Sequence, residues 1–244
     1  DPAKLRWLDL PPAAAVQQAR KLLMSVDALD AQGHMTPHGT MLANLPLPPN
    51  LAHMVAVAAQ SGQAEDAAML AVLLQERGLG GQGEDIETRF ELFVRERGAK
   101  ADAARMLAQR IARLCGASGD KQMLSIGGLI GSAFPDRIAK RRDAKGEKWI
   151  SAMGRGLQLD PASLLARAEW LAVADVQGAA SGARILSAAA LTEAEIIDRF
   201  GHRIESKQIL TYDKSTDRVD ARVQRRLGAI VLSEGRLEKP DPQA

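Results

Sequence analysis

The spacing of apolar residues divides this chain into a helical first half and a strand-rich second half. From the start to about residue 115, apolar positions recur at helical intervals with few β-branched runs. Pro11 and Pro12 open a helix whose predicted inner face is Val16, Ala19, Leu23 and Val26, with Gln17, Arg20 and Lys21 outside. Between residues 50 and 77, Met54, Val55, Val57, Leu70, Val72, Leu73 and Leu74, padded by alanines, cover nearly the whole helix circumference. That pattern belongs to helices buried in a bundle. Two amphipathic helices are predicted next, over 85–97 and 100–115. In the second, Met106, Leu107, Ile111 and Leu114 are expected inward, while Arg105, Gln109 and Arg113 line up outward. Residues 123–133 read as one more helix, closed by Pro135.

Beyond it the period drops to two. Strands are predicted over 148–152, 170–175, 183–188, 206–212, 218–224 and 228–232, and Tyr212 to Asp217 supplies the polar chemistry of a hairpin turn. One helix interrupts them, opened by the capping box Thr192-Glu-Ala-Glu195. Near the other end of the chain, residues 29–36 form a short turn with room for a two-stranded wing around Gly33. Thr36 then serves as N-cap and Pro37 as the first helical residue. The expectation is a multidomain α+β chain with an N-terminal all-α winged-helix and helical bundle, then a small β-barrel. Its predicted parts are a winged helix over 1–50, a bundle over 51–120, a barrel with a helix insertion over 121–237, and a polar linker over 238–244.

Charge sharpens this outline. The whole chain of 244 residues carries a net charge of only +2. Between Phe134 and Gly156, however, Arg137, Lys140, Arg141, Arg142, Lys145, Lys148 and Arg155 stand against Asp136, Asp143 and Glu147 alone. A second cluster, Arg218, Arg222, Arg225 and Arg226, faces only Asp220. Positive charge gathered in two places on a nearly neutral chain is the pattern of a backbone-phosphate track. The candidate contacts are Arg137, Lys140, Arg141, Arg142, Lys148, Arg155, Arg222, Arg225 and Arg226. Gly154-Arg155-Gly156 either brings backbone close to a phosphate or makes a tight turn between strands.

Other chemistry finds no foothold. Gly78-Leu-Gly-Gly-Gln-Gly83 follows a helix and precedes Glu84 and Asp85, so it reads as an interhelical loop and not a phosphate cradle. His34 and His38 straddle a helix start with no carboxylate to complete a metal set, and they read as ordinary histidines along with His53 and His202. Arg89, Arg95, Arg105, Gln109, Arg110 and Arg113 read as solvated helix faces. Cys115, the lone cysteine, excludes an internal disulfide and suits a reducing, cytoplasmic setting. No apolar run approaches the roughly 18 residues of a membrane span. With three tryptophans, one tyrosine and four phenylalanines, the chain has too few aromatics for a base-stacking platform. Binding of a nucleic acid would rest on its backbone charge. The N-terminus without methionine and the polar C-terminus are what a piece of a larger protein is expected to show.

Taken together, Ala28-Leu-Asp30, Gly33-His-Met-Thr36-Pro-His-Gly39, Leu45-Pro-Leu-Pro48 and Leu51-Ala-His-Met54 resemble the winged-helix and ratchet (helicase-associated) region of DEAH-box helicases. Phe134-Pro-Asp-Arg-Ile-Ala139, Gly154-Arg-Gly156, Glu169-Trp-Leu171 and Arg225-Arg-Leu-Gly-Ala229 resemble the barrel segment of the bacterial HrpB branch. This resemblance implies that the barrel is OB-like (of the oligonucleotide-binding type), and that the chain is an accessory half that guides single-stranded RNA, ahead of DNA, along RecA-like motor domains moving 3′ to 5′. The phosphate-binding loop and D-E-x-H box of such motors are absent here, so no catalytic site is expected in this chain. ATP and Mg are expected in the motor domains. The alternative from another class is a protein-interaction module that docks a regulator of the motor.

Overall fold

A computed structural model describes residues 5–116, 122–178, 182–213 and 218–236. The chain forms two units, Asp1–Gly81 with Phe90–Leu124, and Gln82–Arg89 with Ser125–Ala244. The first is helical and the second combines strands with short helices, so the chain is mixed α+β.

In the first unit, α1 (Ala13–Ser25) buries none of its own side chains, and only Val26 just beyond it is fully covered. The turn that follows carries a single antiparallel bridge, Leu29 to Met35, with the Asp30 carboxylate accepting from the backbone N–H of Gln32 and His34. Helix α2 (Pro37–Ala43) starts as the sequence predicts, with Thr36 Oγ1 accepting from Gly39 N at 2.9 Å and proline at the first turn. Helices α3 (Pro49–Ala59) and α4 (Ala64–Gln75) form the core through Met54, Val55, Leu70, Val72 and Leu73. In the turn joining them, buried Gln63 clamps the backbone of Leu124 from both sides. Its Nε2 donates to the carbonyl at 3.0 Å and its Oε1 accepts from the N–H at 2.6 Å.

Helix α5 (Ile86–Arg95) leads to α6 (Ala99–Cys115), which turns inward a face that shares only Ile111 with the predicted one. Ala101, Ala104, Ala108 and Ile111 are buried, while Met106, Leu107 and Leu114 stay 55%, 43% and 59% exposed. The buried stripes of α4 and α6, Ala67, Ala68 and Ala71 on one and alanines on the other, let the backbones approach closely, and a leucine stripe would hold them apart. Arg105, expected in solvent, is half-buried and donates to the Phe93 carbonyl at 2.9 Å.

His38 Nε2 and His53 Nδ1 lie 2.9 Å apart and join α2 to α3 by one hydrogen bond. Burial pushes the pKa of His38 below its ordinary value, against the pull of Asp27. The folded state then binds fewer protons than the unfolded one. This contribution to stability is complete above an unfolded pKa of about 6.5 and is lost as pH falls through it toward the lowered folded value. Melting temperatures measured from about pH 8 to about pH 5 are expected to fall more steeply for the wild type than for His38→Gln. Parallel curves would contradict this.

The second unit is built on a closed five-stranded barrel in the order β1 (Ile138–Arg141), β2 (Lys148–Ser151), β3 (Gly156–Gln158), β5 (Ala183–Leu191), β4 (Trp170–Gln177). All pairings are antiparallel except β3 with β5. Its interior holds Ala139, Trp149, Leu157, Leu171, Val173, Ala183, Ile185 and Ala188. Helix α7 (Ile126–Ala133), capped by Ser125, packs on the outside with Gly127 against the backbone of β5. The capping box opens α8 (Glu193–Phe200) as predicted, Thr192 and Glu195 each bonding the other's backbone.

The sequence places all six predicted strands in one barrel. Instead, the barrel closes with two short strands the pattern does not reveal, β1 and β3. The final strands β6 (Ile204–Asp213), β7 (Arg218–Leu227) and β8 (Ile230–Arg236) form an antiparallel sheet of their own. The physical reason is length. Residues 138–141 and 156–158 are too short to show alternation, yet their partners give them register, and with them the barrel closes before Thr192.

Candidate nucleic-acid interface

The basic run at 137–148 becomes a hairpin. Register pairs Ala139 with Ser151, Lys140 with Ile150 and Arg141 with Trp149, and the N–H of Arg142 donates to the Lys148 carbonyl at 2.8 Å. The loop between is closed by Asp143, whose Oδ1 accepts from the N–H of Glu147 at 3.0 Å and of Lys148 at 3.2 Å. Gly146 takes φ +71° there, and its carbonyl accepts the buried Trp149 Nε1–H at 2.7 Å.

Side chains alternate across a strand, so the residues beside the core positions point out. Trp149 faces inward and Lys148 outward. Gln158 lies outward between buried Leu157 and Leu159, and Arg184 between buried Ala183 and Ile185. Pairing continues from Lys148 to Gln158, from Gln158 to Arg184 and from Arg184 to Gln177. Arg142, Lys148, Gln158, Arg184 and Gln177 therefore form one exposed row around the barrel, three cations and two amides with no carboxylate among them. Arg184 escaped the sequence reading because it lies far from the basic run. The alternation of Ala183, Arg184 and Ile185 was its signal.

The other candidates do different work. Arg137 is half-buried, with Nη1 donating to the Ala174 carbonyl at 2.6 Å and its guanidinium 4.7 Å over the Phe134 ring. Burial lowers its pKa from the ordinary arginine value. Asp175 opposes that effect, nearby Arg155 adds to it, and Asp136 opposes it again. Arg141 donates to the carbonyls of Ala166 and Arg167, Arg155 to that of Gly178 at 2.8 Å, and Arg226 to that of Ala229 at 3.1 Å. Each of these arginines ties down backbone by satisfying carbonyl acceptors, in strand β4 for Arg137 and beyond strand ends for the others. Lys140 sits 3.6 Å from the Glu169 carboxylate and 4.8 Å over the Trp170 ring. Arg222 pairs with Glu234 at 2.6 Å, and exposed Arg225 points to the opposite face of its sheet. The two basic clusters therefore lie on separate sheets.

The glycine-rich loop binds its own chain. Gly80 N donates to the Glu96 carboxylate at 2.9 Å, within the first unit. In the second unit the Glu84 carbonyl accepts from Ala188 N at 2.8 Å.

No protein-family model matches the chain. Among curated proteins it is 31% identical over 242 residues to the ATP-dependent RNA helicase HrpB of Escherichia coli strain K12, a match covering 98% of this chain and 29% of that protein. A crystal structure of the E. coli DExH-box NTPase HrpB superposes with a TM-score of 0.84 at 30% identity over 100% of this chain. The chain matches the C-terminal region of an HrpB-type helicase. A second crystal structure, of the E. coli DEAH/RHA helicase HrpB, gives a TM-score of 0.82 at 27% identity. The chain spans less than a third of the length of these relatives, 29% and 30% of the two solved chains.

Three of the four segments that carry the HrpB barrel resemblance meet at one junction. Met153 N donates to the Asp136 carbonyl at 3.1 Å, and Ala229 N to the Ala152 carbonyl at 2.7 Å. A side chain on Gly154 would begin 3.3 Å from Ala229 Cβ. Phe134–Ala139, Gly154–Gly156 and Arg225–Ala229 thus join the barrel to the three-stranded sheet in this HrpB-like region. Their part in the fold is structural.

Proposed function

We propose that the chain is the accessory, nucleic-acid-binding part of an ATP-dependent 3′–5′ RNA helicase of the HrpB type, and that it guides single-stranded RNA past RecA-like motor domains elsewhere in the protein. The observation that carries this is the row Arg142, Lys148, Gln158, Arg184 and Gln177 on a closed five-stranded barrel. Five strands in this order, with positive charge on the β1–β2 loop and on Lys148 of β2, and Gln158 of β3 beside it, support an OB reading, in which that face and its loops take oligonucleotides. The helix, bridged turn and helix of residues 13–43 support a winged-helix reading of the first domain.

Cations and amides without stacking aromatics grip phosphates and leave bases unread, which suits a strand that must slide. ATP and Mg belong to the motor domains in this reading, and the single cysteine suits the cytoplasm. No helix among the described residues is long and apolar enough to cross a membrane. The test is fluorescence anisotropy of labelled single-stranded RNA with the chain. Affinity should fall linearly on a log–log plot against salt, by about 0.7 per phosphate contact. No measurable binding at about 50 mM salt would overturn the reading.

A further inference from the structure

We propose a second phosphate-binding face, on the three-stranded sheet, formed by Lys207, Arg222 and Arg236. It rests on the reading of the chain as a nucleic-acid-binding region and adds a site that the barrel row does not include.

Register fixes which charges share a face. Arg222 pairs with Ile209 on one side and Arg236 on the other, and Gln224 pairs with Lys207 and Glu234. Side-chain bonds agree, since Glu234 accepts from both Arg222 and Gln224 at 2.6 Å. Lys207, Arg222 and Arg236 are therefore neighbours on one exposed face. Arg225 pairs with Ser206 and Ser233 and points the other way.

Two arginines directly opposite each other on adjacent strands repel, unless an anion lies between them. Glu234 pairs with Arg222 on this face. Between them runs an open groove of about 360 Å³ lined by Arg222, Glu234, Gly235 and Arg236. The carboxylate orients the Arg222 guanidinium at the groove wall, Arg236 lines the groove with it, and exposed Lys207 adds positive charge on the neighbouring strand β6. A phosphodiester fits this chemistry, because a forked arginine and a point-charged lysine both favour phosphate oxygen. The strands are spaced about 5 Å apart, so cations on β6, β7 and β8 can follow successive phosphates of an extended strand.

The face gives the test its resolving power. Labelled single-stranded RNA is titrated against the wild type, Lys207→Glu, Arg236→Glu and Arg225→Glu, with melting curves to show that each variant folds. Lys207→Glu and Arg236→Glu are expected to weaken binding about tenfold each and to make the salt slope shallower by about 0.7 each. Arg225→Glu should stay within about twofold of the wild type. Equal weakening by all three reversals would overturn the proposal, because net charge alone would then explain it. Loss of binding on reversing the barrel row, with Lys207→Glu and Arg236→Glu silent, would overturn this second face and leave the proposed function standing. A wild type that binds no RNA would defeat that function itself.

Discussion

Gly146→Ala is expected to destabilise the second unit by about 3 kcal/mol, which is about 10 °C in its melting transition. Two independent costs meet at this residue. Its φ of +71° is a conformation that side chains rarely adopt, and an added Cβ would sit 2.1 Å from the Ala166 carbonyl oxygen. Backbone cannot yield there as the end of a flexible side chain would. Ala166 is held by the short turn Leu164–Arg167, whose carbonyls also take the Arg141 guanidinium. If the loop moves instead, it withdraws the Gly146 carbonyl from Trp149, leaving a buried indole N–H without its acceptor. Lys145→Ala, one residue away and exposed, is the control and should melt with the wild type. A Gly146→Ala shift under about 2 °C would contradict the account.

The second large effect is on binding. Reversal of Arg142, Lys148 and Arg184 to glutamate together is expected to lower single-stranded RNA affinity on the order of 100-fold at about 100 mM salt, with the fold intact. Among the described residues none of the three has a side-chain partner, and all are exposed. Their removal takes nothing from the core. Arg137, Arg141, Arg155 and Arg226 are different, because their guanidiniums satisfy backbone carbonyls. Substituting them mixes lost folding with lost charge, so weaker binding by those variants would not distinguish a contact from a collapsed turn.

Much of this was legible in the sequence, for reasons that differ by element. Local chemistry was readable wherever it acts within one turn. Thr36 with Pro37, and Thr192 with Glu195, bond backbone a few residues away, and the structure has both caps. Helical periodicity located α3 and α4, but the face of α6 was not readable. Its choice between an alanine stripe and a leucine stripe depends on α4, whose own alanines are remote in the chain. Strands of three or four residues, such as β3, carry too little alternation to be seen before their partners are known. The basic clusters were visible as charge, and their division of labour was not. Whether an arginine faces solvent or a carbonyl is decided by register, and register brought in Arg184 from outside the run and turned Arg225 away from Arg222.

The most direct test of the central claim is the salt dependence of single-stranded RNA binding, measured side by side for the wild type and the Arg142, Lys148 and Arg184 triple reversal. If the barrel row grips phosphates, the log–log slope of the variant is shallower by about 2, close to 0.7 for each lost contact. An unchanged slope in a folded variant would mean that the strand, if bound at all, lies elsewhere on the molecule.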